Sequence, residues 1–329
     1  MKNRKKKAIL PDTNETGENR FVSRFSCTVG QDIPPVLRLD RYIAETVKVL
    51  SRSQIKARSL MARINGKEVK ISKLIRGGDR LELCWEDAQS EALIPEDLPL
   101  DIIYEDGRVA VINKAQGMVV HPGAGNSRGT LANALCYRAV KKQGSSESRG
   151  SFGLRPGIVH RLDKDTSGLI ITAWDEEAHA FLAGQFKKRK VIKTYAAIVQ
   201  GSPEQSGRIK TLISRSRRNR KLFAVSHERG KPSLTYYKLV QSWGSHSLVL
   251  LRPKTGRTHQ LRVHLRHLGH PILGDPLYGM ADSRFPRSSL MLHAKRLSIA
   301  LPAARQRSDF RTCFPPRFYE ILSMLRKRK

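Results

Sequence analysis

Apolar and polar positions recur along this chain with two periods, and the switches between them mark its elements. Leu39, Tyr42, Ile43 and Val47 return at helical spacing. Ser51 or Ser53 then caps a second helix carrying Ile55, Leu60 and Ile64. "NGK" at 65–67 reads as a tight turn into strands that end at "DRLELCW". Further on, "LDIIYEDGRVAVINK" predicts two strands around an "EDG" turn, and "GAGNSRGTLANALCYRAV" a glycine-rich turn entering a helix. "GLIITAW" is a short β-rich apolar run, hence a buried strand. "DEEAHAFLAGQFKKRK" follows as a helix, acidic in its first turn and basic in its last, as the helix dipole favours. Residues 1–33 are polar and aperiodic and are read as a flexible tail; "KKQGSSESRGSFG" at 141–153 is read as a surface loop. This places a small unit at 34–90 and a larger one at 96–329 of the 329 residues.

Charge narrows the partner. Lys and Arg number 61 against 29 Asp and Glu, a formal net charge of +32, which points to a polyanion such as RNA. The stretch 37–85 holds 12 basic and 5 acidic residues, and Lys56, Arg58, Arg63 and Lys67 are expected to grip RNA, the first three from a basic face of the second helix. In "RIKTLISRSRRNRKLFAV" seven Lys or Arg fall within 207–222 with no acid, so Arg215, Arg217, Arg218 and Arg220 are expected on a loop that holds phosphates. Cys27, Cys84, Cys136 and Cys313 form no CxxC motif, and His259, His264, His267 and His270 lack the spacing and partners of a metal site. No apolar run approaches the ~20 residues that span a bilayer, and no signal-peptide core follows the basic start. The expectation is a cytoplasmic monomer with no metal.

One stretch stands against the basic background: "GIVHRLDKDTSGLIITA" sets Asp163 between a His-Arg pair and a Lys, on a loop before a core strand. A carboxylate there weakens polyanion binding unless it reacts. Asp165, two residues on, invites a two-carboxylate glycosidase reading, but nothing in the motif requires it to face the site.

"RPGIVHRLDKDTSGLIITA", "KTYAAIV", "TGRTHQLRVHL", "GHPILGDPLYG" and "LMLHAKRL" stand in the order found in the RluA family of pseudouridine synthases, and the likeness runs from about residue 97 to the C-terminus. The helix, helix, hairpin order before it, above all "INGKEVKISKLIRGGDRLEL", resembles the small RNA-binding domain of a small-subunit ribosomal protein. Ala115 stands where the family usually has Pro, and the chain from "PAARQRSDF" onward fits less well. The resemblance implies an α+β fold: the small helix-hairpin RNA-binding domain, then a mixed, mainly antiparallel sheet with flanking helices and a central cleft.

It also implies roles. Asp163 matches the catalytic aspartate, Tyr195 the active-site tyrosine, and Arg262 the arginine that pairs with the aspartate. Arg161 matches the residue that replaces the expelled base. His160, Thr166 and Ser167 shape the aspartate loop, and Arg257, His259 and Gln260 join the substrate site. The implied reaction turns uridine into pseudouridine in RNA, most simply ribosomal RNA of the large subunit, and as an isomerisation it needs no cofactor. The base is flipped out of its stack, at a cost of a few kcal/mol. Two alternatives stay open: a non-catalytic ribosome-binding or assembly factor, and a synthase directed at tRNA.

Overall fold

The computed structural model describes residues 6–13, 19–34, 36–57, 60–86, 93–123, 125–143, 157–216, 218–219, 222–304 and 306–327. The chain divides into two compact units, Met1–Ala92 and Leu93–Lys329.

In the first unit the elements are β1 (Lys6–Thr13), β2 (Asn19–Thr28), β3 (Leu37–Arg38), α1 (Leu39–Tyr42), α2 (Arg52–Ala57), β4 (Met61–Ile64), β5 (Lys67–Glu68), β6 (Leu74–Ile75) and β7 (Arg80–Glu86). The order β1-β2-β7-β4-β5 forms one antiparallel sheet, and β3 pairs with β6. Leu39 and Ile43 are fully buried with Phe25, Ile75, Leu81 and Trp85. A π-helical stretch, Ile43–Val47, extends α1 and ends at Lys48, whose φ is 60°. Ser51 caps α2: its hydroxyl accepts the Gln54 N–H at 3.4 Å, and Gln54 returns the bond to the Ser51 N–H at 2.8 Å.

Two expectations change here. Residues 6–13 and 19–28, read as flexible tail, form the paired strands β1 and β2, because Ser23 and Phe25 are buried alternately with exposed Arg24 and Ser26 and β2 also pairs along β7. The second helix stops at Ala57, so Arg63 lies on β4, not on a helical basic face. Asn65 and Gly66 both take positive φ and turn the chain back into β5, so strand pairing overrides the apolar spacing that suggested helix.

The second unit contains β8 (Ile102–Glu105), β9 (Val109–Lys114), α3 (Leu131–Gln143), β10 (Gly157–Ile158), β11 (Ser167–Ala173), α4 (Glu176–Lys187), β12 (Ile192–Gln200), β13 (Ser206–Arg215), β14 (Phe223–Ser226), β15 (Lys231–Ser242), β16 (His246–Pro253), α5 (Gln260–His267), β17 (Leu292–Ala300), β18 (Arg307–Arg311) and α6 (Pro316–Arg326). Its sheet runs β14-β13-β15-β16-β12-β17-β11-β9-β8, with β10 on β11 and β18 on β17. Every pairing is antiparallel except β11 with β17. All seven β11 residues are buried. Ile170 and Ile112 pack in one cluster with Leu131 of α3 and Phe318 of α6; Ile171 and Val111 pack in another with Leu182 of α4. The two-sided burial explains the unbroken apolar run. Gly168, at φ +112°, lets β17 approach: a Cβ there would lie 2.4 Å from the Ala294 carbonyl oxygen. α4 starts as expected, with the Asp175 carboxylate accepting the Ala178 N–H at 2.7 Å. The expected phosphate loop after residue 207 is instead strand β13 as far as Arg215. Of the expected surface loop, 141–143 end α3 and 144–153 lie outside the described residues. Among the described residues no helix is long and apolar enough to cross a membrane.

Candidate active site

Asp163 sits on the loop between β10 and β11, half-buried. Its carbonyl accepts the Thr166 N–H at 3.1 Å, closing a turn. The turn after β9 grips the loop from behind. The Lys164 carbonyl accepts the Gly117 N–H at 2.9 Å and the Lys114 ammonium at 3.1 Å, and the Asp165 carbonyl accepts the Gln116 side chain at 3.0 Å. Lys114 is 1 % exposed and also donates to the carbonyls of Ala115 and Met118, at 2.7 and 2.8 Å. Burial pulls its ammonium down to about 7, against the opposing pull of Asp165 and Asp163.

His160 is held below the loop. Its Nε2 accepts the Ile171 N–H at 3.1 Å and its ring stacks on Phe186 at 4.5 Å. Burial, then the nearby Lys193 charge, pushes it down to about 3, so it stays neutral. Ser167 turns to the back: its hydroxyl meets His293 Nδ1 at 2.8 Å and accepts from Arg317 at 2.7 Å. Arg161 is exposed and has no ion-pair partner among the described residues.

α5 supplies the opposite wall. His259 caps it at φ 55°, with Nδ1 2.8 Å from the Tyr278 hydroxyl. Gln260 is buried and faces inward: its oxygen accepts from Thr255 at 2.7 Å and from the Arg257 N–H at 3.1 Å, and its amide donates to Thr235 at 3.0 Å. Arg257 reaches the Pro232 carbonyl at 3.3 Å. These contacts shape the 254–260 turn. Arg262, 3 % exposed, holds two carboxylates unequally. Its Nε and Nη2 bond Asp275 at 2.8 and 2.6 Å, while Nη1 stands 3.9 Å from Asp163. The Tyr278 ring lies 5.1 Å from the guanidinium. Tyr195, on β12, is 8 % exposed, and burial and then the Asp163 charge push its phenol far above the usual range.

Asp163, Tyr195, Arg262, Arg161, His160, Thr166, Arg257, His259 and Gln260 all line one cavity of about 480 Å³; Ser167 does not. Seven lining residues are Lys or Arg and Asp163 is the lone carboxylate among them, so the cavity suits an anionic ligand.

A family model described as RNA pseudouridylate synthase matches residues 108–267. A ribosomal large subunit pseudouridine synthase D of Borreliella burgdorferi is 44% identical over 296 residues, 87% of this chain and 89% of that protein. The chain belongs to the RluA family of RNA pseudouridine synthases. The protein of the same description from Zymomonas mobilis is 38% identical over 88% of this chain and 93% of its own length. The structure of Human RNA Pseudouridylate Synthase Domain Containing 4 superposes with a TM-score of 0.56 at 28% identity, covering 69% of this chain and 93% of that one.

Sequence reasoning missed several groups of this pseudouridine synthase. Asp275 and Tyr278 lie in the "GDPLYG" block that carried the resemblance, yet no spacing tied them to Arg262. Lys114 reads as an ordinary polar strand end. His264, one of the four spaced histidines, is buried between Thr211 and Thr235 hydroxyls at 3.0 and 2.9 Å. Of the expected RNA-gripping residues, Arg63 is exposed on β4 but stands opposite Glu68 and Glu82, and Lys67 is exposed on β5. Arg215 lies with its guanidinium 5.4 Å from the Phe223 ring, and Arg218 is exposed. The Lys56 side chain and Arg58, Arg217 and Arg220 lie outside the described residues.

Proposed function

We propose that this synthase isomerises uridines of large-subunit ribosomal RNA, with Asp163 as the reacting carboxylate. The single observation that carries this reading is Asp163 held 3.9 Å from Arg262 in a cavity it shares with Tyr195 and seven cations. The substrate class follows from the relatives described as acting on the large ribosomal subunit.

In this reading the target uridine is flipped into the cavity, and the cations offset the unstacking through its phosphates. Asp163 attacks or stabilises C1′ as the N1–C1′ bond breaks. The uracil rotates, C5 bonds C1′, the C5 proton leaves and N1 takes one up, so the net change is isomerisation. Arg262 Nη1 stands 3.9 Å from the carboxylate and sets a fixed positive charge beside it. Tyr195 supplies a flat ring, and its hydroxyl is held protonated by burial and by Asp163. Arg161, exposed at the rim, fills the vacated stack. Residues 34–90 serve as the RNA-binding domain of ribosomal-protein type, residues 96–329 as the catalytic domain, and the enzyme acts as a cytoplasmic monomer without a cofactor.

The test is carbodiimide primer extension on total RNA from cells with and without the gene. Loss of one or more stops in large-subunit RNA is expected. Loss confined to tRNA, or none, refutes the substrate class.

A further inference from the structure

Strands β13, β15 and β16 present an outer face whose side chains fall in register. Arg208, Tyr236 and Arg252 lie opposite one another across the three strands. The next row places Lys210 opposite Leu234, whose carbonyl accepts the Lys254 N–H at 2.9 Å. On the other side Lys238 stands between Ser206 and Leu250. Arg208, Lys210, Lys238, Arg252 and Lys254 are all exposed, and no Asp or Glu occupies a position in these rows. None of the five has an ion-pair partner among the described residues. Tyr236 is 41% exposed, and no cation lies over its ring among the described residues.

The ordinary explanation of such a face is solvation, and other sheet edges of this chain show what solvation looks like. Arg296 and Arg311 both bond Asp309, and Arg63 stands opposite Glu68 and Glu82. Exposed cations there are matched by carboxylates. Here five are left unmatched around one open aromatic ring. Neighbouring strands lie ~4.8 Å apart, so Arg208 and Arg252 flank Tyr236 closely on both sides. An aromatic face within a cationic field is the combination that holds single-stranded nucleic acid: bases stack on the ring and phosphates meet the cations. The face also begins at the cleft, because Lys254 lines the active-site cavity.

We infer that this outer face binds the single-stranded RNA flanking the target uridine, with one base stacked on Tyr236 and the backbone held by Arg208, Lys210, Lys238, Arg252 and Lys254. The inference rests on RNA as the substrate class and is independent of the role given to Asp163.

The test uses the full-length chain and a fluorescent single-stranded oligouridine of about 12 nucleotides, the site size of this kind of surface. Affinity is read by anisotropy over a salt series. Tyr236→Ala should weaken binding roughly 5- to 150-fold, the range that loss of one stacked base supports. Tyr236→Phe, which keeps the ring, should bind as wild type does. The double variant Arg208→Ala/Arg252→Ala should lower the log–log salt slope by about 1.4, at ~0.7 for each lost phosphate contact. It also keeps the test open if Tyr236→Ala fails to fold, which circular dichroism reports. Unchanged affinity in Tyr236→Ala together with an unchanged slope in the arginine pair overturns the inference and leaves the face to an acidic protein. All three variants should release C5 tritium normally from a short, saturating RNA. Loss of that activity in Asp163→Asn bears on the cleft, not on this face.

Discussion

Asp275→Asn is the sharpest perturbation the site offers. The Asp275 side chain is fully buried and takes Arg262 through both oxygens. Its Oδ1 also accepts the Leu277 and Tyr278 N–H groups at 2.9 and 3.0 Å. An asparagine that keeps its oxygen at those three donors turns its amide nitrogen toward Arg262 Nε, donor against donor. The opposite orientation turns the amide against two backbone donors and Nη2. Either way a buried guanidinium loses its bidentate counterion and keeps only Asp163 at 3.9 Å, and breaking such a buried pair costs about 3–5 kcal/mol. At roughly 2–4 °C per kcal/mol for a unit of this size, the melting temperature should fall by about 6–20 °C. Tritium release from C5-labelled uridine RNA should drop roughly tenfold or more, since ~1.4 kcal/mol lost at the transition state is already tenfold. Calorimetry and the release assay at 20 °C read the two effects separately. A melting temperature within about 2 °C of wild type, with an unchanged rate, would refute the assignment of Asp275 as the group that holds Arg262.

Asp163→Asn should abolish tritium release while RNA affinity by filter retention holds or rises, because an anion has left a basic cleft; Asp165→Asn, whose side chain does not line the cavity, should stay active. Tyr195→Phe should bind RNA as before and slow the isomerisation in single-turnover assays, whereas a wild-type rate leaves the hydroxyl without a part. Lys114 links stability to pH. Its folded value of about 7 lies below the usual lysine value of 10.5, so the unfolded chain binds more protons between them and stability rises with pH in that window. From pH 7 to 9 the gain is roughly 2 kcal/mol in urea unfolding, and Lys114→Met should remove it; an identical rise in both proteins refutes the burial argument.

What could be read from the sequence follows from how local each signal is. β11 and α4 were legible because a β-rich apolar run buried on both faces and an Asp-capped helix with matched end charges each write themselves into consecutive residues. β2 was not, because a polar residue, Ser23, holds a buried position in its alternation and its partner β7 lies more than fifty residues away. Leu60 and Ile64 fitted the second helix with Ile55 by spacing, and the paired strands β4 and β7 decided otherwise. In the site, Asp163 and Tyr195 came through the resemblance of whole blocks. Asp275 stayed hidden because it is thirteen residues from Arg262 and looks like one more turn aspartate before a proline. Lys114 stayed hidden because a lysine at a strand end is normally solvent-facing, and only the fold closes three carbonyls around it.

In the proposed reading, the unequal grip of Arg262 accounts for how Asp163 works at the centre of so basic a cleft. Had Arg262 taken Asp163 through both oxygens, the pair would have been neutral and the carboxylate immobilised, with neither oxygen free for the ribose. Asp275 takes that bidentate role instead and is itself removed from solvent. What remains toward the cavity is the third nitrogen of the fork, Nη1, at 3.9 Å from one Asp163 oxygen. At that distance the charge attracts the carboxylate without the short, directional bond that would fix it. The other six lining cations are left without a carboxylate of their own in the cavity. Asp163 and Asp275 together therefore subtract two charges from seven. A cationic excess is left for a polyanion, and the Asp163 oxygens make no short bond to Arg262.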